Sequence, residues 1–98
     1  MKVKFVQSGG YAGLRMGCDL DTDSLPAEEA AMLQSLVEQS GFFQAQSDRT
    51  PTARDLLNYS IAVETNEGSS QISFDDLSMP DGIAPLVKYL QSRAKPLR

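Results

Sequence analysis

An α+β fold is predicted: a two-layer sandwich whose four-stranded sheet carries two helices on one face, in the order ββαββα. Three observations predict it. Four stretches alternate apolar and polar residues with a period of two. Two longer stretches carry apolar residues at helical spacing. Glycine, proline and short polar residues punctuate the intervals between them. At 98 residues the chain forms a single domain, residues 1–98, large enough for one modest core.

In the first stretch Val3 and Phe5 alternate with Lys2 and Lys4. In the second, Leu14, Met16, Cys18 and Leu20 alternate with Arg15, Gly17, Asp19 and Asp21. Such a pattern makes a strand with one covered and one wet face. Between the two lies Ser8-Gly9-Gly10-Tyr11-Ala12-Gly13, where a two-residue turn would have sufficed. Glycine loses more backbone freedom on ordering than any other residue, so this cluster answers a local need. Either the turn has unusual dihedrals, or another surface approaches its backbone closely. Tyr11 favours the second reading, because an aromatic at a loop tip has no core to enter and is a typical interface anchor.

The first helix is expected from Pro26 to Ser40, with Ala30, Leu33, Leu36 and Val37 as its apolar stripe. Asp23 and Ser24 are candidate caps, Pro26 suits the first turn, Glu28 and Glu29 complement the dipole, and Gly41 follows the C-terminus. Residues 44–55 form the one long irregular segment, rich in turn formers and carrying Arg49. Leu57, Tyr59, Ile61 and Val63 then mark the third strand, Ile72 and Phe74 the fourth, with a short turn at Asn66-Glu67-Gly68. The second helix is expected from Gly82 to Ala94, with Ile83, Leu86, Val87, Leu90 and Ala94 on one face. Asp81 as its cap would place Pro85 in the first turn, where proline is tolerated. If successive elements alternate in direction, the glycine turn, the long loop and Asp75-Asp76-Leu77-Ser78-Met79 all gather at one end. Binding surfaces favour loops held on a rigid scaffold.

Charge and composition exclude several functions. A net charge of −4 argues against a nucleic-acid binder, which needs a basic face. No apolar run of signal-peptide or membrane-spanning length is present, so a cytoplasmic location without membrane contact is expected. The chain has no histidine, which removes the commonest general base and metal ligand together. Its one cysteine, Cys18, falls on the inward side of its strand and reads as a small core hydrophobe. Asp19-Leu20-Asp21-Thr22-Asp23 opens like a calcium loop, but Ser24 and Ala30 stand where that loop needs glycine and glutamate. Asp75 and Asp76 are adjacent strand residues aimed at opposite faces, hence a strand end with solvated charge rather than a catalytic pair. The glycine turn leads into a strand, not a helix, so it lacks the helix N-terminus of a phosphate loop. The chain is therefore expected not to be an enzyme and to have no cofactor and no metal.

The opening, Lys2-Val3-Lys4-Phe5-Val6-Gln7-Ser8-Gly9-Gly10-Tyr11-Ala12-Gly13, resembles that of the emfourin family. These are small bacterial inhibitors of thermolysin-like metalloproteases such as protealysin. Leu56-Leu57-Asn58-Tyr59-Ser60-Ile61 and Ile83-Ala84-Pro85-Leu86-Val87-Lys88-Tyr89-Leu90 look similar to the family's third strand and terminal helix. The resemblance covers nearly the whole chain, and its specific part is the opening motif. It implies a protease inhibitor that blocks the active-site cleft with surface loops. The glycine loop holds no strong zinc ligand, so occlusion rather than capture of the metal is expected. The resemblance gives Gly9, Gly10, Tyr11, Ala12 and Gly13 as the matching motif. Ser8 before them, and Arg49, Asp75 and Asp76 on the other two loops expected at that end, are expected to join the partner contact. A monomer is expected. The alternative is a non-inhibitory interaction module with an unrelated protein partner.

Overall fold

The computed structural model describes residues 1–9, 15–44 and 57–96. Its elements are β1 (Lys2–Gly9), β2 (Met16–Asp21), α1 (Ala27–Gln39), a 3-10 turn (Phe42–Gln44), β3 (Leu57–Thr65), β4 (Gly68–Asp75), α2 (Ala84–Arg93) and β5 (Lys95–Pro96). The class is α+β, as expected. The sheet has five strands rather than four, all antiparallel, in the order β4-β3-β1-β2-β5, and the chain order gains a final strand. That fifth strand is two residues pairing with Met16 and Gly17, too short to show any alternation. Its cause is local: Pro96 forces Lys95 into extended backbone, and a proline without an N–H is tolerated on an edge.

Period-two alternation becomes a core on one face. Val3 pairs with Val63 and Phe5 with Ile61 across β1 and β3, while Tyr59 pairs with Phe74 and Ile61 with Ile72 across β3 and β4. All seven are buried, together with Leu33 and Val37 from α1 and Ile83, Leu86, Val87 and Leu90 from α2. Both helices thus cover the same face. The other face carries Lys2, Lys4, Asp19, Asp21, Ser60, Glu64 and Gln71, with Lys2 opposite both Asp21 and Glu64.

The helices run across the strands. α1 begins after β2, and Phe43, just beyond its end, lines a groove with Thr65, Asn66 and Gly68 of the β3–β4 hairpin. A helix of 13 residues is about 20 Å long, enough to cross the roughly 14 Å that separates β2 from β4. α2 returns antiparallel. Its start lies against Ser40, where a Cβ on Gly82 would come within 3.2 Å of the Ser40 carbonyl oxygen, and Gly82 adopts φ 87°. Its end pairs Arg93 with Glu29 in the first turn of α1, joining opposite charges to opposite helix termini. Both side chains are partly exposed, so the pair contributes no more than about 1 kcal/mol.

This arrangement corrects the expectation that three loops share one end. Since α1 crosses the sheet instead of running along it, the segment after Gln44 begins at the hairpin end and rejoins at Leu57, beside Gly9. The expected caps also differ. The residue before α1 is Pro26 and that before α2 is Ile83, and neither helix has a side-chain cap. The Asp23 N–H instead donates to Asp21 Oδ1, closing the turn after β2. Pro85 does lie in the first turn of α2, as expected.

Candidate functional site

The ladder β1–β3–β4 builds one end of the sheet. Gly9 stands opposite Leu57, Ser8 opposite Asn58, and Asn58 opposite Asp75. The glycine segment therefore leaves the sheet at the row where β3 begins and β4 ends. Gly9 already has φ 104°, a region that glycine enters without a steric cost. Gly10, Tyr11, Ala12, Gly13 and Arg49 lie outside the described residues.

Asp75 and Asp76 are not paired with each other. Asp76 is exposed, as a charged strand end was expected to be, but Asp75 is buried, which corrects that reading for Asp75. Asp75 is only 3% exposed. Its Oδ1 accepts hydrogen bonds from the Leu77 and Ser78 N–H groups and the Ser78 hydroxyl, each at 2.9 Å, and its own N–H donates to Ser78 Oγ at 3.0 Å. One carboxylate thus folds the turn after β4. Asp76 holds that turn to the next strand: Oδ2 accepts from the Leu57 N–H at 3.1 Å and Oδ1 from the Tyr59 hydroxyl at 2.6 Å, while the Asp76 N–H donates to the Leu57 carbonyl.

Tyr59 links this turn to the base of the glycine segment. Its ring is buried, stacked between Phe5 and Phe74. The Gln91 amide on α2 reaches the same hydroxyl and donates to Gln7 Oε1, two residues before Gly9. A polar strip therefore runs Gln7–Gln91–Tyr59–Asp76 above the core. Tyr59 could have been found from its inward position in β3, since a buried tyrosine needs a partner for its hydroxyl. Nothing in the spacing indicated Asp76 as that partner.

Burial of the Tyr59 ring, and then the Asp76 carboxylate beside it, push the phenol well above its usual range, with Gln91 opposing. The unfolded chain loses this proton near the ordinary tyrosine value of about 10. Above that pH the unfolded state binds fewer protons than the folded one, so stability falls by up to about 1.4 kcal/mol per pH unit. Tyr59→Phe removes this contribution. At neutral pH the variant is expected to be less stable by about 1.5–3 kcal/mol, the worth of a hydrogen bond to a charged acceptor. Urea unfolding from about pH 9 to pH 11 should show that gap closing, and a gap constant with pH contradicts the assignment. Cys18 titrates separately. Its thiol, pushed up chiefly by burial, donates to the Leu90 carbonyl at 3.6 Å.

Among the described residues no three His, Cys, Asp or Glu side chains cluster as a metal site, and no helix is long and apolar enough to cross a membrane. What the described part of this end offers is shape: a glycine exit and a hydrogen-bonded turn on a common rim. The chain matches the Emfourin family over residues 5–91, from the middle of β1 almost to the end of α2. It belongs to that family. Emfourin is a protease-inhibitor family, so membership points to a protease as partner and to binding rather than catalysis. No curated protein and no solved structure matches this emfourin-family chain.

Proposed function

We propose that the chain inhibits a thermolysin-like metalloprotease by filling its active-site cleft with surface loops. Membership of the Emfourin family over residues 5–91 carries this reading. The glycine segment is its working part: small residues beside Tyr11 let backbone enter a narrow cleft, where N–H and C=O groups pair with the cleft edge as an extended substrate does. Ser8, Gly9, Gly10, Tyr11, Ala12 and Gly13 make the central contact. Asp76 and Arg49 widen it, and Asp75 acts through the turn it folds. The chain works as a monomer in the cytoplasm and leaves the metal of its target alone.

Hydrolysis of a peptide by a purified thermolysin-like metalloprotease, followed with and without the chain, tests the proposal. Slowing at micromolar concentration is expected. Tyr11→Ala combined with Gly10→Asp should weaken inhibition by roughly thirtyfold or more, as loss of an interface anchor does, while circular dichroism stays unchanged. A chain that leaves peptide hydrolysis untouched and co-purifies with a non-protease is an interaction module of another kind.

A further inference from the structure

Three large apolar side chains stand exposed among the described residues: Met32, Phe43 and Leu77. Leu77 is the most exposed, at 70%, and it alone lies at the glycine end of the sheet. Met32 belongs to α1, and Phe43 faces the opposite hairpin. The chain is anchored on either side of Leu77. Asp75 two residues before it is buried, Met79 two residues after it packs against the core, and Ile83 is fully buried. The chain thus sinks on both sides of Leu77 and holds this one leucine out.

It is held firmly. The Leu77 N–H donates to Asp75 Oδ1, the Ser78 N–H donates to both the Asp75 carbonyl and Oδ1, and Asp76 ties the same turn to Leu57 and Tyr59. A side chain presented on an ordered turn loses little entropy when it binds. Its place is suited to a shared contact. Asp75 lies two strand spacings, about 10 Å, from Ser8 across β3. A standard protein–protein interface covers about 800 Å² per partner, wide enough to take in both.

We propose that Leu77 is a second anchor of the inhibitor, entering an apolar pocket on the protease beside its cleft while the glycine segment occupies the cleft itself. This rests on the inhibitor reading above. Leu77 supplies apolar area at a fixed distance from the cleft, so it selects among proteases by whether such a pocket exists there. The Asp76 carboxylate, exposed beside it, sets a polar rim around the apolar contact.

Leu77→Ala and Leu77→Met separate the possibilities, with a thermolysin-like metalloprotease and a fluorogenic peptide as the assay. Leu77→Ala is expected to raise the inhibition constant about tenfold to a hundredfold, the loss that follows from leaving a leucine-sized pocket unfilled. Leu77→Met keeps most of the apolar area and should stay within about threefold of the parent. Both should melt within about 2 °C of it, as exposed substitutions do. An unchanged constant for Leu77→Ala, with the parent chain inhibiting, overturns the second anchor and leaves the inhibitor reading standing. A melting temperature lowered by more than about 5 °C assigns Leu77 to folding and overturns it too. Failure of the parent chain to inhibit removes the reading itself, and the anchor with it.

Discussion

Phe5→Ala is expected to bring the domain close to unfolding. Phe5 is 1% exposed on β1, the middle strand of the five, between Ile61 on β3 and Cys18 on β2, and its ring stacks 6.3 Å from that of Tyr59. No neighbour can collapse into the space without moving a paired strand. Truncation of such a phenylalanine costs about 3–5 kcal/mol, through lost burial and the cavity left behind. A domain of this size has only about 5–15 kcal/mol in total. At about 4–8 °C per kcal/mol the melting temperature should fall by roughly 15–30 °C. Phe43→Ala is the control, because Phe43 is half exposed and its loss should stay near 0.5 kcal/mol. Thermal unfolding followed by circular dichroism checks both. A fall below about 5 °C for Phe5→Ala would mean that the sheet does not depend on packing beneath its central strand.

The same alternation that buries Phe5 made most of the sheet legible. Val3 and Phe5, Tyr59, Ile61 and Val63, Ile72 and Phe74 all point where period two places them. The helices were legible because Leu33 and Val37, and Leu86, Val87 and Leu90, repeat at three and four residues. What alternation cannot carry is direction relative to the other layer. α1 follows β2 in either of two ways, along the strands or across them, and the same stripe serves both. That ambiguity misplaced the start of the segment after Gln44. β5 escaped because two residues have no period, although Lys95 before Pro96 held the local signal. At the candidate site the glycine segment was visible as composition, and it lies within the residues that the family match spans. The roles of Asp75 and Asp76 were not visible. A carboxylate at a strand end looks the same in sequence whether water or three donors surround it, and only the backbone path after β4 brings Leu77 and Ser78 back onto Asp75.

That path makes Asp75→Ala the sharpest test of how the turn is built. The carboxylate stands almost entirely out of water, and one oxygen, Oδ1, takes three donors. Hydrogen bonds to a charged acceptor contribute about 1.5–3 kcal/mol each, but donors in a surface turn regain water when it opens. The expected loss is therefore about 3 kcal/mol, less than the sum of three bonds. For a domain of this length it lowers the melting temperature by roughly 12–24 °C. Asp75→Asn keeps an oxygen in place and should lose about 1 kcal/mol, the difference between a charged and a neutral acceptor. Hydrogen exchange locates the effect, because the Leu77 and Ser78 amides should lose protection in Asp75→Ala while those of the β1–β3 ladder keep theirs under native conditions. Protease inhibition then separates shape from stability. Well below the melting temperature the sheet of Asp75→Ala is folded, yet Leu77 no longer stands on an ordered turn, so inhibition should weaken at least as much as in Leu77→Ala. If Asp75→Ala weakens inhibition no further than Asp75→Asn, the turn reforms against the protease without its carboxylate. Order in the free chain would then contribute nothing to binding.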